Sequence, residues 1–128
     1  MSYSVGDTFT LTRTCDPYRP LYYAAASGDF NPIHIDPKVG AEAGLGGVIL
    51  QGLCTLAWAV DSFARYLGDP GRVAGIEVRF SRPVAPNDVV TYAGKVTAID
   101  AGVLTAEIEA TNQRGETILK NVTVKGRV

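Results

Sequence analysis

Leu50-Gln51-Gly52-Leu53-Cys54-Thr55-Leu56-Ala57-Trp58-Ala59-Val60-Asp61-Ser62-Phe63-Ala64-Arg65-Tyr66-Leu67 contains no charged residue before Asp61. Leu53, Leu56, Ala57, Val60, Phe63, Ala64 and Leu67 recur at i, i+3, i+4, i+7, which predicts a helix over 50–67. Cys54, Trp58 and Ala59 make the remaining sides apolar too. A helix apolar nearly all round is a buried one, so something must wrap it.

The chain on either side supplies the wrapping. After the turn signal Gly68-Asp69-Pro70-Gly71, Ile76, Val78 and Phe80 alternate with Glu77, Arg79 and Ser81. A strand over 89–99 is entered through Pro86-Asn87-Asp88 and leaves by the hairpin turn Asp100-Ala101-Gly102. Leu104, Ala106, Ile108 and Ala110 then alternate with polar residues, and a last strand over 116–125 follows the turn Asn112-Gln113-Arg114-Gly115. No helix separates these strands, so they pair antiparallel. Before the helix, Phe9 and Leu11 alternate with threonines in a strand over 8–14. Asp16-Pro17 starts a short helix over 17–27, with Leu21, Tyr22 and Ala25 on one face, and Gly28 ends it. Asp36-Pro37 starts a weaker helix running to about Ala43. The fold class is therefore α+β: a five-stranded antiparallel sheet wrapped around one long central helix.

The 128 residues fit one domain over 1–128, and 46% apolar content suffices for a core. A net charge of −1 gives no footprint for nucleic acid. No apolar run is long enough for a membrane span, and Met1–Asp7 lacks the features of a signal peptide, so a cytoplasmic protein is expected. Cys15 and Cys54 have no CxxC spacing, and the single histidine cannot complete a usual zinc site with them. No phosphate-binding glycine motif is present. Neither a metal nor an organic cofactor is implied.

Chemistry concentrates in Ser27-Gly28-Asp29-Phe30-Asn31-Pro32-Ile33-His34-Ile35-Asp36. Gly28 and Pro32 keep this segment irregular. It presents one carboxylate, Asp29, and the chain's only imidazole, His34, as a water-activating or proton-transferring site requires. The plain alternative is turn chemistry: Asp29 and Asn31 as Asx-turn residues, and Asp36 as the cap before Pro37. Asp61 is placed to pair with Arg65 at i+4. Cys54 suits a small buried hydrophobe better than a nucleophile paired with His34, and Tyr22 and Tyr23 suit core or wall better than acids.

One helix swaddled by such a sheet is the hot-dog arrangement, and the motifs narrow it. Tyr23-Ala24-Ala25-Ala26-Ser27-Gly28-Asp29-Phe30-Asn31-Pro32-Ile33-His34-Ile35-Asp36 resembles the signature of the MaoC-like, (R)-specific enoyl thioester hydratases and dehydratases. Val48-Ile49-Leu50-Gln51-Gly52-Leu53-Cys54-Thr55 resembles that family's entry into the central helix. Arg79-Phe80-Ser81-Arg82-Pro83-Val84-Ala85-Pro86-Asn87-Asp88 resembles its strand-to-loop motif. The resemblance implies that Asp29 and His34 are the catalytic pair holding one water, and that Asn31 helps orient them. It implies that the backbone N–H of Gly52 donates to the thioester oxygen. Elementary physics agrees with the last role, because a helix N-terminus offers an unpaired N–H and a positive dipole end.

The implied substrate is an enoyl or (R)-3-hydroxyacyl thioester of CoA or acyl carrier protein. The implied assembly is a homodimer with strands of two subunits joined in one sheet, a heterodimer being the alternative. There are two departures: Gln51 stands where the family often has His, and Asn87 where it usually has Gly. Two other functions stay open. One is a hot-dog acyl thioesterase using Asp61, the acid on the helix. The other is a subunit of a hetero-oligomeric dehydratase or a carrier-binding scaffold without catalysis. Arg79 and Arg82 are candidates for meeting a phosphate of the carrier.

Overall fold

The central helix runs from Gly52 to Leu67 in a computed structural model that describes residues 2–128. We number the elements β1 (Thr8–Thr14), α1 (Arg19–Ser27), α2 (Pro37–Glu42), α3 (Gly52–Leu67), β2 (Val73–Phe80), β3 (Val89–Asp100), β4 (Val103–Thr111) and β5 (Thr117–Arg127). Helix α3 begins two residues later than its periodicity suggests. Leu50 is still bonded sideways, its N–H donating to Val84 O at 2.7 Å, and Gln51 is the extended N-cap. Gly68 stops the helix in the left-handed conformation, φ 79°, donating its N–H to Ala64 O.

The face that α3 buries differs from the predicted one. The buried residues are Cys54, Thr55, Ala59, Ser62, Phe63 and Leu67. Of the predicted stripe only Phe63 and Leu67 are among them, and Leu53 is 58% exposed. The helix is apolar on two sides, so periodicity cannot choose between them. The sheet takes the side with small residues, where Ala59 and Ser62 permit close approach. Thr55 and Ser62 fit that side because their hydroxyls donate back to Gly52 O (2.7 Å) and Ala59 O (2.6 Å). Within one chain α3 therefore lies on the sheet rather than being enclosed by it.

The sheet has the order β1-β3-β4-β5-β2, antiparallel throughout. This is the expected hot-dog arrangement. Inward residues of the three middle strands, among them Tyr92, Val96, Leu104, Ile108, Ile118 and Val124, make the core with Phe63. Tyr92 is fully buried and donates its hydroxyl to Thr55 O at 2.8 Å, so its one polar atom is satisfied. Phe9 lies across its sheet partner Gly94, where any Cβ would collide with the ring, and stacks on Tyr66 at 5.0 Å. Asn121, φ 52°, marks an irregularity in β5 where Glu77 pairs with Thr123 but Arg79 with Lys120. Beyond it Phe80 is 56% exposed, although its alternation groups it with Ile76 and Val78.

Helix α1 starts at Arg19, because Asp16 Oδ1 accepts the Tyr18 N–H (2.8 Å) and keeps Pro17 and Tyr18 in a turn. It buries Pro20 and Ala24, whereas Leu21, Tyr22 and Ala25 face outward, opposite to the predicted face. Helix α2 is capped as expected: Asp36 Oδ1 accepts the Lys38 N–H at 3.0 Å. No helix among the described residues is long and apolar enough to cross a membrane.

Candidate active site

Local chemistry builds the site from Ser27 onward. Gly28 closes α1 with φ 80°, a conformation that glycine adopts without penalty, and turns the chain toward α3. Asp29 Oδ1 accepts the N–H of Asn31 (3.3 Å), and Asn31 Oδ1 accepts that of Ile33 (3.2 Å). These successive Asx turns lead into one 3₁₀ turn, Pro32–His34. The result brings the two titratable groups together. His34 Nε2 stands 3.7 Å from Asp29 Oδ2, the imidazole buried and the carboxylate partly exposed.

The histidine tautomer follows from its other nitrogen. Nδ1 lies 2.8 Å from Ile49 O, and a carbonyl can only accept, so Nδ1 carries the hydrogen. With that tautomer the lone pair of Nε2 faces Asp29. Two acceptors 3.7 Å apart do not bond to each other; they are a place for a water that donates to both.

A cavity of about 200 Å³ opens beside them, lined by His34, Ile49, Leu50, Gly52, Thr55, Phe80 and the Ser81–Val84 loop. It brings His34 and Gly52 to one space. Asp29 is not among the residues that line it, and joins the site through the 3.7 Å approach of its Oδ2 to the imidazole. Among the described residues no acceptor takes the Gly52 N–H, which opens the first turn of α3. A larger cleft of about 550 Å³, lined by Tyr3, Leu67, Asp69 and Arg72, lies at the far end of the helix.

The other sequence candidates fall elsewhere. Asp61 is bonded to Arg13 Nη2 (3.0 Å) as well as to Arg65 Nε (3.1 Å), outside the cavity. Cys54 is buried, and burial pushes its thiol up to about 11, which keeps it protonated and unreactive at neutral pH. Both nitrogens of His34 are already directed elsewhere, so no Cys54–His34 pair forms. Tyr22 is exposed and Tyr23 packs against the core. Arg82 lines the cavity and pairs with Glu116 Oε2 at 3.3 Å, while Arg79 is exposed on β2.

Two participants had no readable sequence signal, and a third, Gln51, stood out as a departure from the family pattern but not in the bonds it makes. The Ile49 carbonyl sets the histidine tautomer, but it is backbone. Phe80 walls the cavity from the end of β2, opposite Gly52. Gln51 is 1% exposed, and its Nε2 donates to Pro20 O (2.9 Å) and Asp29 O (3.4 Å).

The family described as MaoC like domain matches residues 5–117. The chain is 40% identical over 76 residues to the peroxisomal enoyl-CoA hydratase 2 of Arabidopsis thaliana, covering 58% of this chain and 24% of that protein. It is 37% identical over 72 residues to a probable enoyl-CoA hydratase 2 of Dictyostelium discoideum, covering 55% and 24%. The matched region thus spans about a quarter of these relatives' length. Among solved structures, an (R)-hydratase of A. caviae involved in PHA biosynthesis superposes with a TM-score of 0.88 at 25% identity, covering 99% of this chain and 98% of that one. An R-hydratase of Pseudomonas aeruginosa gives 0.86 at 25%, covering 96% and 80%.

Proposed function

The chain belongs to the MaoC-like domain family, and on that footing we propose that it is a hydro-lyase acting on enoyl thioesters. Its reaction is the (R)-specific addition of water to a trans-2-enoyl thioester, or removal of water from the (R)-3-hydroxyacyl thioester, with CoA or acyl carrier protein as the carrier. The named activities of the enoyl-CoA hydratase 2 relatives and of the (R)-hydratase neighbours support this class. The observation that carries it is one small cavity lined by both His34 and Gly52, whose N–H is unused, with Asp29 Oδ2 3.7 Å from His34 Nε2.

In hydration, one water donates to Asp29 Oδ2 and His34 Nε2. Its oxygen attacks the β-carbon while the pair takes a proton. The double-bond electrons move toward the thioester carbonyl, whose oxygen gains enolate charge. The Gly52 N–H and the positive end of α3 stabilise that charge, and the apolar wall leaves it poorly screened. The pair returns a proton to the α-carbon, so the sum is one added water. Asn31 supports the geometry through the hydrogen bond that its N–H donates to Asp29 Oδ1.

Asp61 argues against the thioesterase alternative, since two arginines occupy it away from the cavity. The deciding experiment follows crotonyl-CoA with the purified protein, by loss of enoyl absorbance and by mass. Gain of one water with no free CoA is the expected result. CoA release without a hydrated thioester would overturn the assignment. We further infer one MaoC-like domain over residues 1–128, acting as a homodimer in the cytoplasm. A fluorescent fusion found in the peroxisome, the compartment named for the Arabidopsis relative, would overturn that location.

A further inference from the structure

We propose that Gln51 is a positioning residue whose buried carboxamide ties the Asp29 backbone to the start of α3, holding the acid–base pair in register with the Gly52 N–H. The inference rests on the hydratase assignment above and adds to it the part that joins its two halves. Gln51 is the N-cap of α3 and the immediate neighbour of Gly52. Its Nε2 donates to Pro20 O at 2.9 Å and to Asp29 O at 3.4 Å. Both partners are carbonyls that only accept, so the amide nitrogen must face them and the side-chain orientation is determined.

Asp29 needs such a tie. It lies on an irregular segment directly after a left-handed glycine. Its N–H donates to Ser27 Oγ (3.1 Å), its Oδ1 accepts the Asn31 N–H (3.3 Å), and its carbonyl accepts from Gln51 (3.4 Å). Oδ2 is then the polar atom left for His34 Nε2. The first bond ties Asp29 to the last residue of α1, and the second is made within the segment and moves with it. The Gln51 bond is the one that refers Asp29 to the start of α3, the helix that carries the oxyanion donor.

The amide keeps this place at a cost to stability. Gln51 Oε1 is buried and has no hydrogen-bond partner among the described residues. An apolar side chain of similar size would avoid leaving that acceptor unmet, so the amide's value lies in its two donated bonds and the geometry they set.

Steady-state kinetics on crotonyl-CoA test the role in Gln51→Leu, Gln51→Met and Gln51→His, alone and with Asp29→Asn, each checked by circular dichroism. Gln51→Leu and Gln51→Met should lower kcat about tenfold or more, with KM changed less than about twofold, because misplacement of a reacting group acts on the chemical step. Gln51→His keeps a ring N–H donor and should stay within about threefold of the parent. In the Asp29→Asn background Gln51→Leu should cost less than about twofold, since the tie acts through Asp29. A second readout does not depend on turnover. His34 is the only histidine, so its ring nitrogen signals in an NMR spectrum are unambiguous. They should move in folded Gln51→Leu or Gln51→Met as the Asp29 carboxylate shifts. Unchanged His34 signals, full kcat in a folded variant, or equal losses with and without Asp29 would each overturn the positioning role. An inactive parent whose His34 signals still respond would instead overturn the hydratase assignment and leave the tie standing.

Discussion

In the proposed mechanism Asp29 and His34 share a task that neither performs alone, because a water donating to both needs both acceptors. Losing either should therefore remove most of the rate, not half of it. Asp29→Asn and His34→Ala are each expected to lower kcat on the order of 10²-fold or more, the usual contribution of general acid–base groups. Near-normal hydration by either variant, with an unchanged circular dichroism spectrum, would remove the pair from the mechanism. Gly52 makes a different kind of demand. Its φ is not positive, so the glycine is present for space rather than backbone freedom. A Cβ there would lie 3.1 Å from Phe80 Cε1 on the cavity wall. Gly52→Val should push the Phe80 ring aside and occupy the approach to the N–H, lowering kcat/KM by about 10²-fold or more, as loss of an oxyanion donor does. A folded Gly52→Val protein with full turnover would exclude this donor and leave the Asp29–His34 half in place.

At the scale of elements, the loop between β2 and β3 forms the cavity's outer wall, and one carboxylate holds it. Asp88 is 5% exposed. Its Oδ2 accepts the Ala85 N–H (3.0 Å), and its Oδ1 accepts from Gln113 (2.8 Å) and Arg114 (3.3 Å). Asn87 before it takes φ 72°, the conformation that the family's glycine would adopt there. Burial disfavours the Asp88 charge, but the bonds from Gln113, Ala85 and Arg114 outweigh it and hold the carboxyl below its ordinary 3.8. The folded state then binds fewer protons than the unfolded chain. Its stabilisation is complete above about pH 4 and is lost as pH falls through the lowered value. Urea midpoints measured from pH 6 down to pH 2 should fall, and Asp88→Asn should flatten that fall in part, because Asp7 and Glu116 are lowered too. An unchanged pH slope in Asp88→Asn would show that the loop is not held this way.

For the whole molecule, the open surfaces set the question. β1 and β2 each leave one backbone edge unpaired in a single chain. Leu53 is exposed on α3, and Tyr18, Leu21, Tyr22 and Phe30 are exposed in and around α1. The proposed second copy would cover one such edge and some of these apolar side chains. Sedimentation at micromolar concentration should give twice the 13.6 kDa chain mass. A monomer at that concentration, or a dimer seen only with a different subunit added, would overturn the homodimer.

Local chemistry alone determined a good part of this protein. Alternation every second residue and the turn residues between runs suffice for five antiparallel strands. Residues 27–36 announced an acid and an imidazole, because Asx turns and proline act over a few residues whatever surrounds them. Asp36 and Asn87 adopt their expected conformations for the same reason. Packing decided the rest. Helices α1 and α3 bury faces other than those read from their periodicity: a side chain's apolar character does not say which neighbour will arrive against it. Phe80 stays on the side of β2 that faces α3, yet is 56% exposed because it stands on the cavity wall opposite Gly52. The tautomer of His34 depends on a carbonyl fifteen positions away, and the tie from Gln51 to Asp29 spans twenty-two. Such contacts exist only once the chain has closed on itself, which is why the acid and base could be named from sequence while the geometry that couples them could not.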